Sequence, residues 1–313
     1  MTAHGRASTP APPDPPAPRS YSLGGTVVPA HARDPGLYVV ATPIGNLGDI
    51  TLRALEVLAG ADLIACEDTR VTRKLTERYG IKTPLTAYHD HNAETARPQL
   101  LARIAAGAAV ALVSDAGTPL ISDPGFKLVR EARAAGHTVT ALPGASAVLA
   151  ALASVGLPTD RFFFEGFLPA KAGARASRIA ELKTVPATLV LYETGPRLGD
   201  ALAALAEGLG PREAAICREL TKLHEEVRHG DLAQLARRYA EGGETRGEFV
   251  IVVAPPSADE AQADKVDEML RGALTRVSVK DAVGEVALAT GRPRREVYQR
   301  ALELAKDSGD GAR

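Results

Sequence analysis

Apolar residues along the chain fall into short, uninterrupted runs separated by amphipathic stretches. "LYVVATP" (37–43), "ADLIACED" (61–68), "AAVALVSD" (108–115) and "HTVTALPG" (137–144) read as buried strands. Between them, "DITLRALEVLAG", "RPQLLARIAAG" and "GFKLVREARAAG" carry apolar positions at helical spacing. Each closes at a glycine, the residue that best tolerates the left-handed turn after a helix end. Strands without polar alternation, interleaved with helices, predict a parallel sheet covered on both faces. After a further helical stretch, "GASAVLAALASVGLP", a second series follows: "RFFFEGFLP", "ATLVLYETG", "REAAICREL" and "GEFVIVVAP". The pattern predicts an α/β fold of two domains, residues 35–150 and 151–256, with no internal repeat. Residues 257–263 read as a polar linker, and "ADKVDEMLRGAL", "SVKDAVGEVALATG" and "PRREVYQRALEL" predict a small helical extension within 257–313. Residues 1–34, with "STPAPPDPPAPRS", are poor in the large apolar side chains that offset ordering entropy, so they are expected to form a disordered tail.

Composition narrows the class. With 313 residues, 45% hydrophobic and 24% charged, the chain reads as a soluble globular protein, and no apolar run approaches the roughly 20 residues that cross a bilayer, so no membrane partner is expected. Cys66 and Cys217 stand far apart, without the spacing of a disulfide framework or a zinc site, which fits a reducing cytoplasm. A net charge of -1 gives no whole-molecule attraction to phosphate, so a nucleic acid would have to be met by a local basic face. "EGFLPAKAGARASR" offers one in Lys171, Arg175 and Arg178; "RPRREVYQRA" offers another in Arg292, Arg294, Arg295 and Arg300, in what reads as a helix-turn-helix arrangement.

Two glycine-rich turns leave predicted strands. "ATPIGNLGDIT" (41–51) opens a helix that Asp49 is placed to cap, and "SDAGTPLISDPG" (114–125) packs two Asp-containing turns into a dozen residues. Ligands of open parallel sheets sit beyond the carboxyl ends of the strands. Small residues at Gly45, Gly48, Ala116 and Gly117 would let a ligand approach the main chain there. Neither G-x-x-x-x-G-K-[ST] nor G-x-G-x-x-G occurs, which points to a nucleoside-like ligand without a phosphate chain. "CEDTR" (66–70) places Glu67 and Asp68 directly after a strand, where a carboxylate can take a proton; helix capping and a surface ion pair are the alternative. In "YHDHNAE" (88–94), neighbouring His and Asp on an extended segment point to opposite faces and no third ligand is identifiable, so no metal is expected. Hydrogen bonding and stacking on a splayed RNA base is the better use of that segment, with a solvated loop as the alternative.

Taken in order, "LYVVATPIGNLGDITLRALEVLAGADLIACEDTR", "HDHN", "LVSDAGTPLISDPG", "LPGASA", "DRFFFEGFLPAK", "ICRELTKLHEE" and "GEFVIV" resemble the ribosomal RNA small subunit methyltransferase I family of the tetrapyrrole (precorrin) methylase superfamily. The resemblance runs from Leu37 to Val253. It implies two α/β domains with S-adenosylmethionine folded in the cleft between them, a homodimer, and 2′-O-methylation of a cytidine ribose in the 16S rRNA of the small ribosomal subunit. It places Pro43 and Gly45 in a first cofactor loop and Ser114, Asp115, Ala116, Gly117, Thr118 and Pro119 in a second, with Ala145 and Ser146 nearby. Tyr192 and the turn of Gly247, Glu248 and Phe249 would close over adenine and sugar. Glu67, Asp68 and Lys171 make up the candidate catalytic set. Two positions depart from the family pattern: Pro196 stands where a His usually precedes the Arg, and Ala145 where Pro is common. A small tetrapyrrole-type acceptor, or a non-catalytic ribosome-binding role, are the alternative readings.

Overall fold

The chain divides after Ser146 into two units. The structure, a computed structural model, describes residues 19–309. The first unit opens with a hairpin in which β1 (Ser20–Leu23) pairs antiparallel with β2 (Thr26–Pro29). This corrects the expected disorder over residues 19–34; residues 1–18 lie outside the described residues. The hairpin is held by the domain behind it. Tyr21 is buried in one cluster with Leu55, Leu58 and Tyr79, the Ser22 N–H donates to the Tyr79 carbonyl at 2.7 Å, and Arg19 reaches Asp62 at 2.6 Å. Such contacts offset the ordering entropy, and none of them is visible in the composition of the segment itself.

The sheet of this unit is built from β3 (Gly36–Val40), β4 (Leu63–Cys66), β5 (Leu85–Ala87), β6 (Ala109–Val113) and β7 (Val139–Leu142). The strand order is β5-β4-β6-β3-β7 and every pairing is parallel. Around it stand α1 (Leu52–Gly60), α2 (Thr69–Arg78), α3 (Ala93–Ala105) and α4 (Phe126–Ala134). Alternate residues feed two different cores. Ile64, Cys66, Ala111 and Val113 join α1 and α2, whereas Leu63, Ala65, Val110 and Leu112 join α3 and α4. Both faces are therefore covered, as strands without polar alternation require.

Two details of the sequence reading change. Thr51, not Asp49, caps α1, its side chain accepting from the Ala54 N–H at 3.1 Å. Asp49 instead ends a one-turn 3-10 helix, Leu47–Asp49, capped by Asn46. Gly60 is the last residue of α1 rather than the turn after it, and a Cβ there would collide with the His31 carbonyl of the strap that follows the hairpin.

The second unit begins with α5 (Ala147–Val155), which packs on β10 (Glu213–Arg218), β11 (Glu226–Asp231) and β12 (Glu248–Val253). The helix therefore belongs wholly to the second unit, whereas the boundary read from sequence, at 150/151, runs through it. With β8 (Phe162–Phe167) and β9 (Thr188–Thr194), these strands form a sheet of order β11-β10-β12-β9-β8. Only β8 and β9 pair in parallel; the other pairings are antiparallel. A core of Leu198, Leu202, Leu205, Leu232 and Ile251 joins this sheet to α6 (Ala172–Lys183), α7 (Gly195–Leu209) and α8 (Leu232–Ala240).

At the C-terminal end, α9 (Ala258–Leu274), α10 (Val279–Thr290) and α11 (Arg294–Gly309) surround Leu270, Val283, Val286, Val297 and Ala301. Helix α9 starts inside the predicted linker of residues 257–263, and the connection from β12 is residues 254–257. Among the described residues, no helix is long and apolar enough to cross a membrane.

Candidate functional site

Strands β3 and β6 are neighbours, so the two glycine-rich loops that leave their carboxyl ends meet. Thr42 and Gly117 exchange both backbone hydrogen bonds, at 2.9 and 3.0 Å, and the Thr42 hydroxyl donates to the Ser114 carbonyl at 3.1 Å. Gly117 sits at φ +80°, a backbone conformation costly to any L side chain, and a Cβ there would lie 3.3 Å from Ile44. The close approach expected of this glycine is thus made first by the neighbouring loop. Leu120 and Ser122 hold φ of 76° and 62° without being glycine. Strained conformations of this kind persist only where the surrounding structure enforces them, and they concentrate at functional sites.

Around this junction the structure gathers most of the first unit's candidates. Pro43, Ser114, Gly117 and Pro119 are buried, while Gly45 and Ala116 are exposed. The Thr118 hydroxyl donates to the Ala145 carbonyl at 3.3 Å, which brings in the segment carrying Ala145 and Ser146 after β7. The Asp115 carboxylate accepts the Asp68 N–H at 2.9 Å and so ties in the loop after β4. Four strand ends therefore contribute to one place.

The carboxylates there are unlike one another. Asp68 caps α2, accepting from the Arg70 N–H at 2.8 Å, and its side chain grips the Arg70 guanidinium at 2.6 Å. These hydrogen bonds hold its pKa down at about 2. Burial, and then the neighbouring charges of Asp115, Asp123, Asp90 and Asp68, push Glu67 up. Burial also raises Asp115 and Asp123, the latter against a hydrogen bond from Ser114. Asp123 was not singled out from the sequence, although the second Asp turn that contains it was the available signal.

A pocket of about 470 Å³ opens beside these groups, lined by Glu67, Asp68, Arg70, His89, His91 and Asp115. The His89 and His91 rings stand 6.0 Å apart at 64°, and His89 Nδ1 is buried with no hydrogen-bond partner. Asn92 pins the backbone beneath them, accepting from the His89 N–H at 2.9 Å. No metal-holding group of His, Cys, Asp or Glu occurs among the described residues.

The second unit holds the other candidates. Tyr192 on β9 packs edge-on against Phe164 at 4.9 Å and Phe167 at 5.7 Å. At Gly247 a Cβ would fall 2.7 Å from the Glu219 carboxylate, which also accepts from Lys222 at 2.8 Å and from the Glu248 N–H at 2.9 Å. Phe249 is 2% exposed and lies in the core beside Tyr239, so its ring has no surface to offer an adenine; the turn can contribute only backbone and Glu248. Lys171 is exposed at the N-cap of α6. Arg178, expected to meet phosphate, is instead held by Glu165 at 2.6 Å and Glu181 at 2.5 Å. Pro196 occupies the first turn of α7, where its missing N–H costs nothing. Arg197 closes on the buried Glu193 carboxylate at 3.3 Å.

The family described as Tetrapyrrole (Corrin/Porphyrin) Methylases matches residues 36–236, and the one described as RsmI C-terminal HTH domain matches residues 259–305. The ribosomal RNA small subunit methyltransferase I of Mesorhizobium japonicum is 51% identical over 290 residues, covering 92% of this chain and 99% of the relative. That of Erythrobacter litoralis is 53% identical over 277 residues, covering 88% and 97%. Among solved structures, the uroporphyrin-III C-methyl transferase from Thermus thermophilus, complexed with S-adenyl homocysteine, aligns over 70% of this chain and 97% of its own, with a TM-score of 0.50 at 22% identity. That last likeness is one of fold.

Proposed function

Because the chain belongs to the ribosomal RNA small subunit methyltransferase I family of the tetrapyrrole methylases, and is thereby a methyltransferase, we propose that it methylates the 2′-oxygen of a cytidine ribose in 16S rRNA. The methyl donor is S-adenosylmethionine, and the substrate is the small ribosomal subunit, met in the cytoplasm by a homodimer. The observation that carries this reading is the junction of the two glycine loops at Thr42 and Gly117, with Asp115 and Glu67 beside it. Its small residues leave main-chain groups open at Gly45 and Ala116. The nearby charge is chiefly carboxylate, and the one guanidinium, Arg70, is paired with Asp68. Such a cradle suits a cationic sulfonium nucleoside and repels a polyphosphate.

When bound, the donor supplies an electrophilic methyl carbon: the ribose oxygen forms its bond to that carbon as the carbon–sulfur bond breaks and its electron pair stays on sulfur. The protein's part is to hold the ribose hydroxyl in line and to take its proton. Glu67 is the residue suited to the second task, since burial and neighbouring carboxylates raise its proton affinity. Asp68 is committed to the α2 cap and Arg70. Lys171, exposed at the start of α6, serves as a contact to the rRNA backbone.

The test is transfer from tritiated S-adenosylmethionine to small subunits purified from a strain lacking this gene, with mass-spectrometric mapping of the product. Label in 16S rRNA as 2′-O-methylcytidine is the expected result. Label that instead enters a tetrapyrrole, or no label in either acceptor, overturns the reading.

A further inference from the structure

The C-terminal helices carry a second surface that the methyl-transfer site does not use. On α10, Lys280, Gly284 and Leu288 recur every four residues, and on α11, Arg294, Tyr298 and Leu302 do the same, so each set forms one stripe along its helix. Neither stripe is the buried one, which runs through Val283 and Val286 on α10 and through Val297, Ala301 and Leu304 on α11. A groove of about 650 Å³ lies between the helices, lined by Lys280, Gly284, Leu288, Arg294, Arg295 and Tyr298. Leu288 is 88% exposed and Tyr298 47%.

The charges of these helices sort into two groups. Arg300 is bound to Asp267 at 2.5 Å and to Glu303 at 2.6 Å, and Arg276 to Glu285 at 3.3 Å. Those arginines hold the helices together. By contrast, Lys280, Arg292, Arg294 and Arg295 have no ion pair among the described residues. The acids facing the groove are already engaged: Asp281 accepts from the Ser278 hydroxyl at 2.6 Å, and Glu285 holds Arg276. Gly284 adds a steric reason for the arrangement. A Cβ there would lie 3.0 Å from the Arg294 guanidinium, so glycine lets that group rest across α10 at the groove.

We propose that the groove between α10 and α11, together with the loop joining them, docks the sugar–phosphate backbone of the rRNA, with Lys280, Arg294 and Arg295 of the groove and Arg292 of the loop on phosphates and the Tyr298 ring against a base or ribose. A chain of net charge -1 can attract a polyanion only through such a local set of unpaired cations, and an exposed aromatic among them is the usual stacking platform for unpaired nucleotides. The proposal rests on rRNA being the substrate.

Two full-length variants test it: Arg292→Ala/Arg294→Ala/Arg295→Ala, and Gly284→Glu, which sets a carboxylate beside Arg294 at a helix position where replacing glycine favours the helix. Binding to small subunits is measured against salt, separately from methyl transfer, alongside cofactor affinity and solution mass. The triple variant should bind about tenfold or more weakly at roughly 0.15 M salt, with a log–log salt slope shallower by about 2 to 3, as expected for three lost phosphate contacts. Gly284→Glu should weaken binding in the same direction, with cofactor affinity and mass unchanged and no fall in melting temperature in either. Wild-type affinity and slope in the triple variant overturn the proposal; so does a change of oligomeric mass with RNA binding intact, which would make the groove a protein interface. A wild-type protein that binds subunits but transfers no methyl group refutes the proposed reaction and leaves the docking result to be judged on binding.

Discussion

Glu67 and Asp68 are adjacent in the chain, yet their surroundings give them opposite proton affinities. Asp68 is held near pKa 2 by Arg70, while Glu67 is raised by burial and by a ring of like charges. A base must be deprotonated to act, so methyl transfer should climb with pH through an apparent pKa above the ordinary glutamate range. Glu67→Gln should lose that limb and about 100-fold or more in kcat, with cofactor affinity unchanged. A Glu67→Gln enzyme with the kcat and pH profile of the wild type would remove this residue from the chemistry. Asp68→Ala should mainly lower the melting temperature, because it removes a helix cap and an ion pair. Gly117→Val meets both a φ of +80° and the Ile44 side chain, so S-adenosylmethionine affinity, measured by calorimetry, should fall at least about tenfold while the sheet still forms. The two Asp turns of residues 114–125 were legible as a candidate site from glycine, proline and aspartate alone. What they could not reveal is that Asp115 reaches back to the Asp68 N–H, since that bond spans 47 residues.

Among the elements, the hairpin of β1 and β2 shows most clearly how a neighbour alters a local tendency. Its sequence contains little that would order it alone, yet Tyr21 is 8% exposed against α1 and the Gly60 end of that helix has no room for a side chain beside His31. Tyr21→Ala should cost about 3 kcal/mol, read by denaturant unfolding, as for other buried aromatics. Removal of residues 1–34 should lower the melting temperature rather than leave it unchanged. Strand β11 was equally hidden: "EVRHGD" has no apolar run, and it is a strand because β10 offers it an edge. The uninterrupted apolar runs of β3, β4 and β6 were read directly, because a strand buried on both faces must be apolar throughout.

At the scale of the whole molecule, three half-buried carboxylates set a pH dependence of stability. Glu67, Asp115 and Asp123 all have raised pKa values in the folded state, so the folded protein binds protons more tightly than the unfolded chain. Their contribution is therefore fully present below the ordinary carboxylate range and is lost as pH rises through the raised values. Asp123→Asn should accordingly raise the melting temperature relative to the wild type at pH 8 and converge with it at pH 4. An equal offset at both pH values would show that Asp123 titrates normally. In the C-terminal helices, Arg300→Ala takes the closest partner from the Asp267 carboxylate, whose side chain is 10% exposed, and leaves it the longer contact to Arg271 at 3.9 Å. With the guanidinium 44% exposed and partly screened, the expected loss is about 1–2 kcal/mol in thermal unfolding.

The sequence by itself determined the α/β class, the parallel first sheet, the helical C-terminal region and the two loops at which a nucleoside-like ligand is expected. Each of these follows from apolar periodicity or from turn chemistry, which act within a few residues. The family was legible for the same reason, since its motifs are contiguous stretches of chain. Tertiary structure alone decided which of the two adjacent carboxylates has its proton affinity raised, which arginines are neutralised by Glu165, Glu181 and Asp267, and that the Phe249 ring belongs to the core. It also decided that residues 19–34 fold onto α1 and that the second sheet is mixed. Those outcomes depend on burial and charge pairing between segments distant in sequence, and the chain acquires both only when it packs.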